Sequence, residues 1–324
     1  MPIPVILDVD TGVDDALALL FAARHPGLEL RAATCVAGNA EVDQVVTNTL
    51  TVLSAAGAPR VPVARGAERP LIEPPRPARH VHGQDGLGDL HRPPPPTAPD
   101  PRHAIDLLRD ELTPGAGITL VALGPLTNIA LLVRAYPHAL AGVERLVVMG
   151  GAAFRGNATA AAEFNIWHDP EAAAIVLDAV AANGTPMTMY GLDVFYGPAA
   201  STADADTLRA SDDGGARLAG DLLRFSLERY TTGTATIGDA GAVCSVADPA
   251  GLRTERLPVR VELTGTWTRG QTVVDQRTWH VDQAHDEHGI ATAQVDVALG
   301  IDGARYVELW LSTVGGASIQ SQSA

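Results

Sequence analysis

The segment Asp8-Val9-Asp10-Thr11-Gly12-Val13-Asp14-Asp15 sets four carboxylates within eight residues, directly after an apolar run. Carboxylates this close repel one another, so a fold that gathers them needs a countercharge. Their ligand atoms are all oxygen and no His or Cys is interleaved, which points to a hard cation, calcium or magnesium, rather than zinc. Acidic helix capping is the plainer alternative, since Asp14 and Asp15 fall where a first helical turn begins and the helix dipole favours negative charge. Capping accounts for one or two carboxylates, not four. A cation held here lowers the pKa of a coordinated water and orients hydroxyl groups, the chemistry of a metal-assisted hydrolase.

Such a cluster has to be presented by rigid elements, and the flanking pattern supplies them. Val5–Val9 reads as a buried strand and Val13–Arg24 as a helix stopped by His25-Pro26-Gly27. Leu28–Val36 and Val61–Ala64 read as further strands on either side of a helix over Glu41–Ala56. Ile118–Leu123 then leads into a helix opened by Pro125 and running to Tyr136. Arg145–Met149, a helix over Pro170–Ala182 and Met187–Leu192 continue the alternation. Strands alternating with helices predict a single open, mostly parallel, doubly wound α/β (Rossmann-like) sheet, with helices on both faces and ligands at the carboxyl ends of the strands.

One such domain is expected over residues 1–314. The proline-rich stretch 66–101 reads as a flap, with its His82-Gly83-Gln84-Asp85-Gly86-Leu87-Gly88 part beside the site. Residues 198–237 read as a helical cap over the strand ends, and 315–324 as a disordered polar tail.

Composition narrows the chemistry further. Of 324 residues, 38 are acidic and 23 basic, a net charge of −15, and no lysine occurs at all. Schiff-base lysines, lysine nucleophiles and phosphate loops ending in Gly-Lys-Ser/Thr are excluded. So negative a chain is not expected to bind nucleic acid. No apolar run approaches the roughly 20 residues of a bilayer span, and MPIPVILDVD lacks the basic region of a signal peptide. Cys35 and Cys244 lie in apolar segments, as buried thiols in a reducing cytoplasm would.

Two families share an opening of this kind. An apolar strand ending D-x-D-T resembles the first motif of the haloacid dehalogenase superfamily, which implies a phosphohydrolase with Asp8 as nucleophile and Asp10 as its acid/base partner. That chemistry usually needs a downstream lysine for the phosphoryl group. The second resemblance covers far more of the chain. D-x-D-T-G-x-D-D followed by ALALL, over Asp8–Leu20, resembles the signature of the inosine-uridine-preferring nucleoside hydrolase family. Val36-Ala37-Gly38-Asn39, the His82-Gly83 flap, Leu123-Gly124-Pro125-Leu126-Thr127-Asn128-Ile129-Ala130, Met149-Gly150-Gly151-Ala152, Gly156-Asn157 and Ala162-Glu163-Phe164-Asn165-Ile166 follow in the family's order, from residue 5 to about 310.

The resemblance implies hydrolysis of a ribonucleoside N-glycosidic bond to ribose and free base. It implies a calcium ion on Asp10, Asp15, Asp239 and the Thr127 carbonyl, with Leu126 as the alternative carbonyl, and Asp10 as general base towards the metal-bound water. Asp14, Asn39, Asn157, Glu163 and Asn165 would bind the ribose, with Met149 packed nearby. Asn side chains offer both donor and acceptor, which suits a hydroxyl-rich sugar. His82, with an unperturbed pKa near 6.5, would act on the leaving base. Phe154, Trp167, Tyr190, Phe195 and Tyr230 are the aromatic candidates for stacking on it, Trp167 and Tyr230 first among them. A homodimer or homotetramer is implied as well. One departure stands out: the family's late His-Asp-Pro motif is here Gly238-Asp239-Ala240. Asp239 keeps the metal aspartate, but Gly238 replaces the histidine, so the resemblance implies a roomier pocket, an altered base preference, or a non-catalytic relative that only binds nucleoside.

Overall fold

The computed structural model describes residues 1–230, 233–278 and 292–316. The chain opens with β1 (Ile3–Val9), α1 (Val13–Arg24), β2 (Leu28–Cys35), α2 (Val42–Ala55) and β3 (Val63–Arg65). After a long irregular stretch containing α3 (Arg79–His82) come α4 (Ala104–Glu111), β4 (Ile118–Ala122), α5 (Thr127–Ala135) and β5 (Val143–Met149). Then follow α6 (Phe164–His168), α7 (Pro170–Asn183), β6 (Met187–Tyr190) and α8 (Leu192–Phe195). The cap segment holds β7 (Ala199–Ser201), α9 (Thr202–Arg209), α10 (Gly214–Arg229) and β8 (Thr234–Thr236). The chain closes with α11 (Asp239–Ala247), β9 (Leu252–Val261), β10 (Thr272–Val274), β11 (Ala293–Ile301) and α12 (Gly303–Val314).

The main sheet runs β10-β9-β11-β6-β5-β4-β1-β2-β3. β1 to β6 and β11 are parallel, and only the far side, where β9 pairs with β10 and β11, is antiparallel. The expected doubly wound α/β sheet is therefore the architecture found. Side chains alternate across it as a strand requires. Val5, Leu7 and Val9 join a core with α1, α2, α10, α11 and α12, whereas Ile6 joins the opposite core with α4, α5 and α7. α1 begins and ends where its caps and proline stop placed it, and nine of its residues are buried.

Two readings are corrected. Pro125 does not open α5; the Leu126 carbonyl accepts the first intrahelical bond, from Ala130 N–H at 2.9 Å, so the helix starts at Thr127. The segment 198–237 is not purely helical, because α9 and α10 are closed off by the antiparallel pair β7 and β8. Strands β9 to β11 and helix α12 carried no clear signal. β9 is half-exposed along most of its length, so it shows neither a continuous apolar run nor a clean alternation. The 317–324 part of the tail lies outside the described residues. Among the described residues no helix is long and apolar enough to cross a membrane. Cys35 and Cys244 are buried free thiols.

The chain runs outward from β1 to β2 and β3, then returns to the other side of β1 with β4, β5 and β6. The order therefore reverses between β1 and β4, where a doubly wound sheet opens a crevice. Asn128 on α5 ties the strands there: its Nδ2 donates to Asp8 Oδ1 at 2.8 Å and the Cys35 carbonyl at 3.0 Å, while its Oδ1 accepts from Ala67 N–H at 2.8 Å. Asn128→Ala leaves these partners buried and unsatisfied, and is expected to lower the unfolding free energy in urea by about 2–5 kcal/mol. A loss below about 0.5 kcal/mol would contradict this role for the amide.

Candidate active site

The loops after β1, β2, β4 and β5 meet at that crevice. The β1 loop turns at Gly12 so that Asp15, in the first turn of α1, folds back and accepts from Asp10 N–H at 3.2 Å and Gly12 N–H at 2.9 Å. Asn39, after β2, donates its N–H to Asp10 Oδ2 at 2.7 Å and its Nδ2 to Asp15 Oδ2 at 3.3 Å. Gly38 precedes it because any Cβ there would collide with the Asp10 carboxylate. Asp239 enters from the first residue of α11, which packs against α1.

Ligand oxygens of Asp14, Asp15 and Asp239 lie within 4.8 Å of one another. Asp10 adjoins them, with Oδ1 buried and without a hydrogen-bond partner. Burial first, then the neighbouring carboxylates, push Asp10 and Asp239 well above the ordinary carboxylate range, and Asp15 to about 7. The charges acting on Asp239 are those of Asp14, Asp15, Asp10 and Glu163, all of one sign. Among the described residues this is an all-oxygen donor set with an orphaned buried oxygen and no arginine paired to it, which fits a divalent cation of the hard class.

A cavity of about 760 Å³ opens over the cluster, lined there by Asp14, Asn39 and Asp239. Its other wall carries Met149, Asn157, Glu163, Asn165 and Trp167, and Tyr230 stands at the rim. Glu163 caps α6, accepting from the N–H groups of Gly151, Asn165 and Ile166, and burial raises it to about 7. Asn165 Nδ2 donates to the carbonyls of Leu123 at 2.7 Å and Met149 at 3.0 Å. Asn157 Oδ1 accepts from Phe164 N–H at 2.9 Å. His82, on α3, is buried with Nδ1 accepting from Val13 N–H at 3.1 Å and lying 3.7 Å from Asp14 Oδ1. Burial lowers its pKa more than Asp14 raises it. Its ring is therefore neutral near pH 7, with the proton on Nε2.

A model of the inosine-uridine preferring nucleoside hydrolases matches residues 5–308. The chain belongs to that family. It is 40% identical over 283 residues, 86% of this chain and 89% of the relative, to an inosine-uridine preferring nucleoside hydrolase of Leishmania major. It is 41% identical over 280 residues, 85% of this chain and 89% of the relative, to a non-specific ribonucleoside hydrolase of Klebsiella pneumoniae. In three dimensions it matches a purine-preferring ribonucleoside hydrolase from Gardnerella vaginalis with a TM-score of 0.86 at 30% identity, covering 97% of this chain and 98% of that one. This nucleoside hydrolase is thus a hydrolase acting on N-glycosyl compounds.

Twelve sequence-derived site residues stand around one crevice: Asp10, Asp14, Asp15, Asn39, His82, Met149, Asn157, Glu163, Asn165, Trp167, Tyr230 and Asp239. Thr127 does not join them. Its Oγ1 donates to Asp169 Oδ2 at 2.7 Å, and as the first residue of α5 its carbonyl points along the helix, as does that of Leu126. Of this segment it is Leu123, just after β4, that lines the cavity, and its carbonyl accepts from Asn165 Nδ2. Asp8 shares the parity of Ile6 and faces α5, where Thr34 and Asn128 hold its Oδ1. Held there, away from the Asp14–Asp15–Asp239 cluster, it is not placed as a dehalogenase-type nucleophile. Among the other aromatic candidates Phe195 lines the cavity, Tyr190 is buried beneath it, and Phe154 is exposed.

Gly238 leaves no vacancy. A Cβ there would stand 2.7 Å from Asp14 Cβ and 2.9 Å from Phe195 Cζ, on a backbone at φ 51°. Phe195 and Asp14 occupy the space that a side chain at 238 needs. Sequence reasoning also missed Tyr196 and Arg76, both on the cavity wall. Tyr196 is reached one helical turn after β6, so the strand-end rule was the signal that would have found it.

The raised carboxyls fix a pH dependence. Without a cation, Asp15 and Glu163 hold protons up to about pH 7 in the folded chain but release them near pH 4 when unfolded. The folded state then binds more protons across that window, so stability falls as pH rises from about 4 to 7. Thermal melts in chelator should show Tm dropping over this range, with added calcium restoring it most at the high-pH end. A calcium effect equal at pH 5 and pH 7.5 would contradict the cluster as its site.

Proposed function

We propose that this enzyme hydrolyses the N-glycosidic bond of ribonucleosides, with calcium as its cofactor, releasing ribose and free base. The observation that carries the reading is the buried Asp10 Oδ1, without a hydrogen-bond partner among the described residues, in a cluster whose Asp14 and Asp239 line a cavity with amide and carboxyl groups on its opposite wall. Asp10, Asp15, Asp239 and the Leu123 carbonyl would hold the ion. When bound, it supplies the countercharge, acidifies water and orients the sugar diol.

The chain's own groups do the rest. Asp14, Asn39 and Asn165 hold the ribose hydroxyls near the cluster, and Asn157 and Glu163 hold the hydroxyl at the far end of the sugar. Holding the sugar in this way fixes C1′ against the attacking water and converts a bimolecular step into a positioned one. Asp10, its Oδ2 fixed by Asn39 N–H, takes the proton of that water as general base. Cleavage passes through an oxocarbenium-like ribose, whose positive charge the surrounding carboxylates favour. His82 donates from Nε2 as a neutral ring instead of arriving as an imidazolium. Base preference departs from that of relatives with a histidine at 238, because Phe195 fills this space. The substrate is a free ribonucleoside, and a cytoplasmic homodimer or homotetramer completes the reading.

The test is base release from a panel of ribonucleosides before and after chelation. Asp10→Ala should lower kcat by about 10²–10⁴-fold, and chelation should abolish turnover until calcium is returned. Activity that survives both treatments would overturn the reading.

A further inference from the structure

Gly238 removes an imidazole from the leaving-group side, and Phe195 closes the space. Phe195 ends α8, its N–H bonded to the Gly191 carbonyl at 3.1 Å and its own carbonyl accepting from Thr236 Oγ1 at 2.8 Å. This one turn, fastened to the end of β6, fixes where the next residue stands. Tyr196 follows, its ring set edge-on to Phe195 with centroids 5.0 Å apart and planes at 84°. It lines the cavity and is half-exposed to it.

The Asn157 amide stands on the same cavity wall as Tyr196. Phe164 N–H occupies Asn157 Oδ1, so the group Asn157 can offer as a donor is its Nδ2. Tyr196 lines the same cavity as Asn157, and a phenol O–H can donate into it. Glu163, Tyr230 and Asp14 all lie within electrostatic reach of the same hydroxyl.

Resting on the nucleoside hydrolase reading above, we propose that the Phe195–Tyr196 pair replaces the missing imidazole. Phe195 forms the wall, and the Tyr196 hydroxyl is a catalytic hydrogen-bond donor to the departing base. The C1′–N bond breaks with its electron pair going to the base nitrogen. Water oxygen forms the new C1′–O bond and gives its proton to Asp10. Charge that develops on the base is met by the Tyr196 O–H, which stays protonated, and the base takes its proton from solvent.

Tyr196→Phe removes only the hydroxyl, from a half-exposed ring, and keeps the packing on Phe195. On inosine and uridine it should lower kcat by about 10²-fold, the usual effect of losing one preorganised donor. On p-nitrophenyl β-D-ribofuranoside, whose leaving group is already acidic, the loss should be at least tenfold smaller. Equal losses on nucleosides and the nitrophenyl riboside would mean that Tyr196 serves the sugar, and would overturn the proposal. So would a loss on nucleosides below threefold. If the wild-type enzyme released neither base nor nitrophenol with calcium present, the nucleosidase reading itself would have failed.

Discussion

The mutual repulsion of buried carboxylates is the constraint on which this structure depends. Asp10 and Asp15 are fully buried and Asp239 nearly so, and the charges that bear on them are those of Asp14, of one another and of Glu163, all negative. Nothing in ordinary packing favours such an arrangement, since a buried charge has to be paired or neutralised. The protein offsets part of the cost with backbone N–H groups, those of Asp10, Gly12 and Asn39, and leaves the rest to a cation.

The fold follows from that need. Only a sheet whose order reverses between β1 and β4 brings the ends of β1, β2, β4 and β5 to one crevice. Buried on both faces, these strands hold their ends rigidly, and short loops carry the polarity. Asn128 and Asn165 serve as struts on either side, one tying Asp8 to β2 and the other tying β4 to β5 through the Leu123 and Met149 carbonyls. The larger and less regular parts, the proline-rich stretch and the β7–α10–β8 excursion, are free to shape the cavity above. That division explains how Phe195 and Tyr196 come to stand where an imidazole is absent, with the acidic floor of the site still intact.

Most of the floor was legible in the sequence. Asp10, Asp14, Asp15, Asn39, Glu163 and Asn165 sit beside strand ends or helix starts, so the alternation of strand and helix that predicts the sheet also predicts their convergence. Thr127 was misplaced because a motif identifies a segment, not which of its carbonyls points outward. That depends on where α5 begins, and Leu126 rather than Pro125 caps it. Gly238 looked like a vacancy because a missing side chain in sequence says nothing of what packs into its place. Phe195, 43 residues away in the chain, fills it. Strands β9 and β10, at the far side of the sheet, were illegible for a related reason: largely exposed strands carry no pattern that distinguishes them from loops.

The central claim, that the carboxylate cluster exists to hold a cation, is tested most directly by calcium titration calorimetry on chelator-treated protein near pH 7 in two buffers of different ionisation enthalpy. One ion should bind per chain, protons should be released as the raised carboxyls ionise, and Asp239→Asn should abolish the binding. Absence of binding, or binding unchanged by Asp239→Asn, would contradict the account.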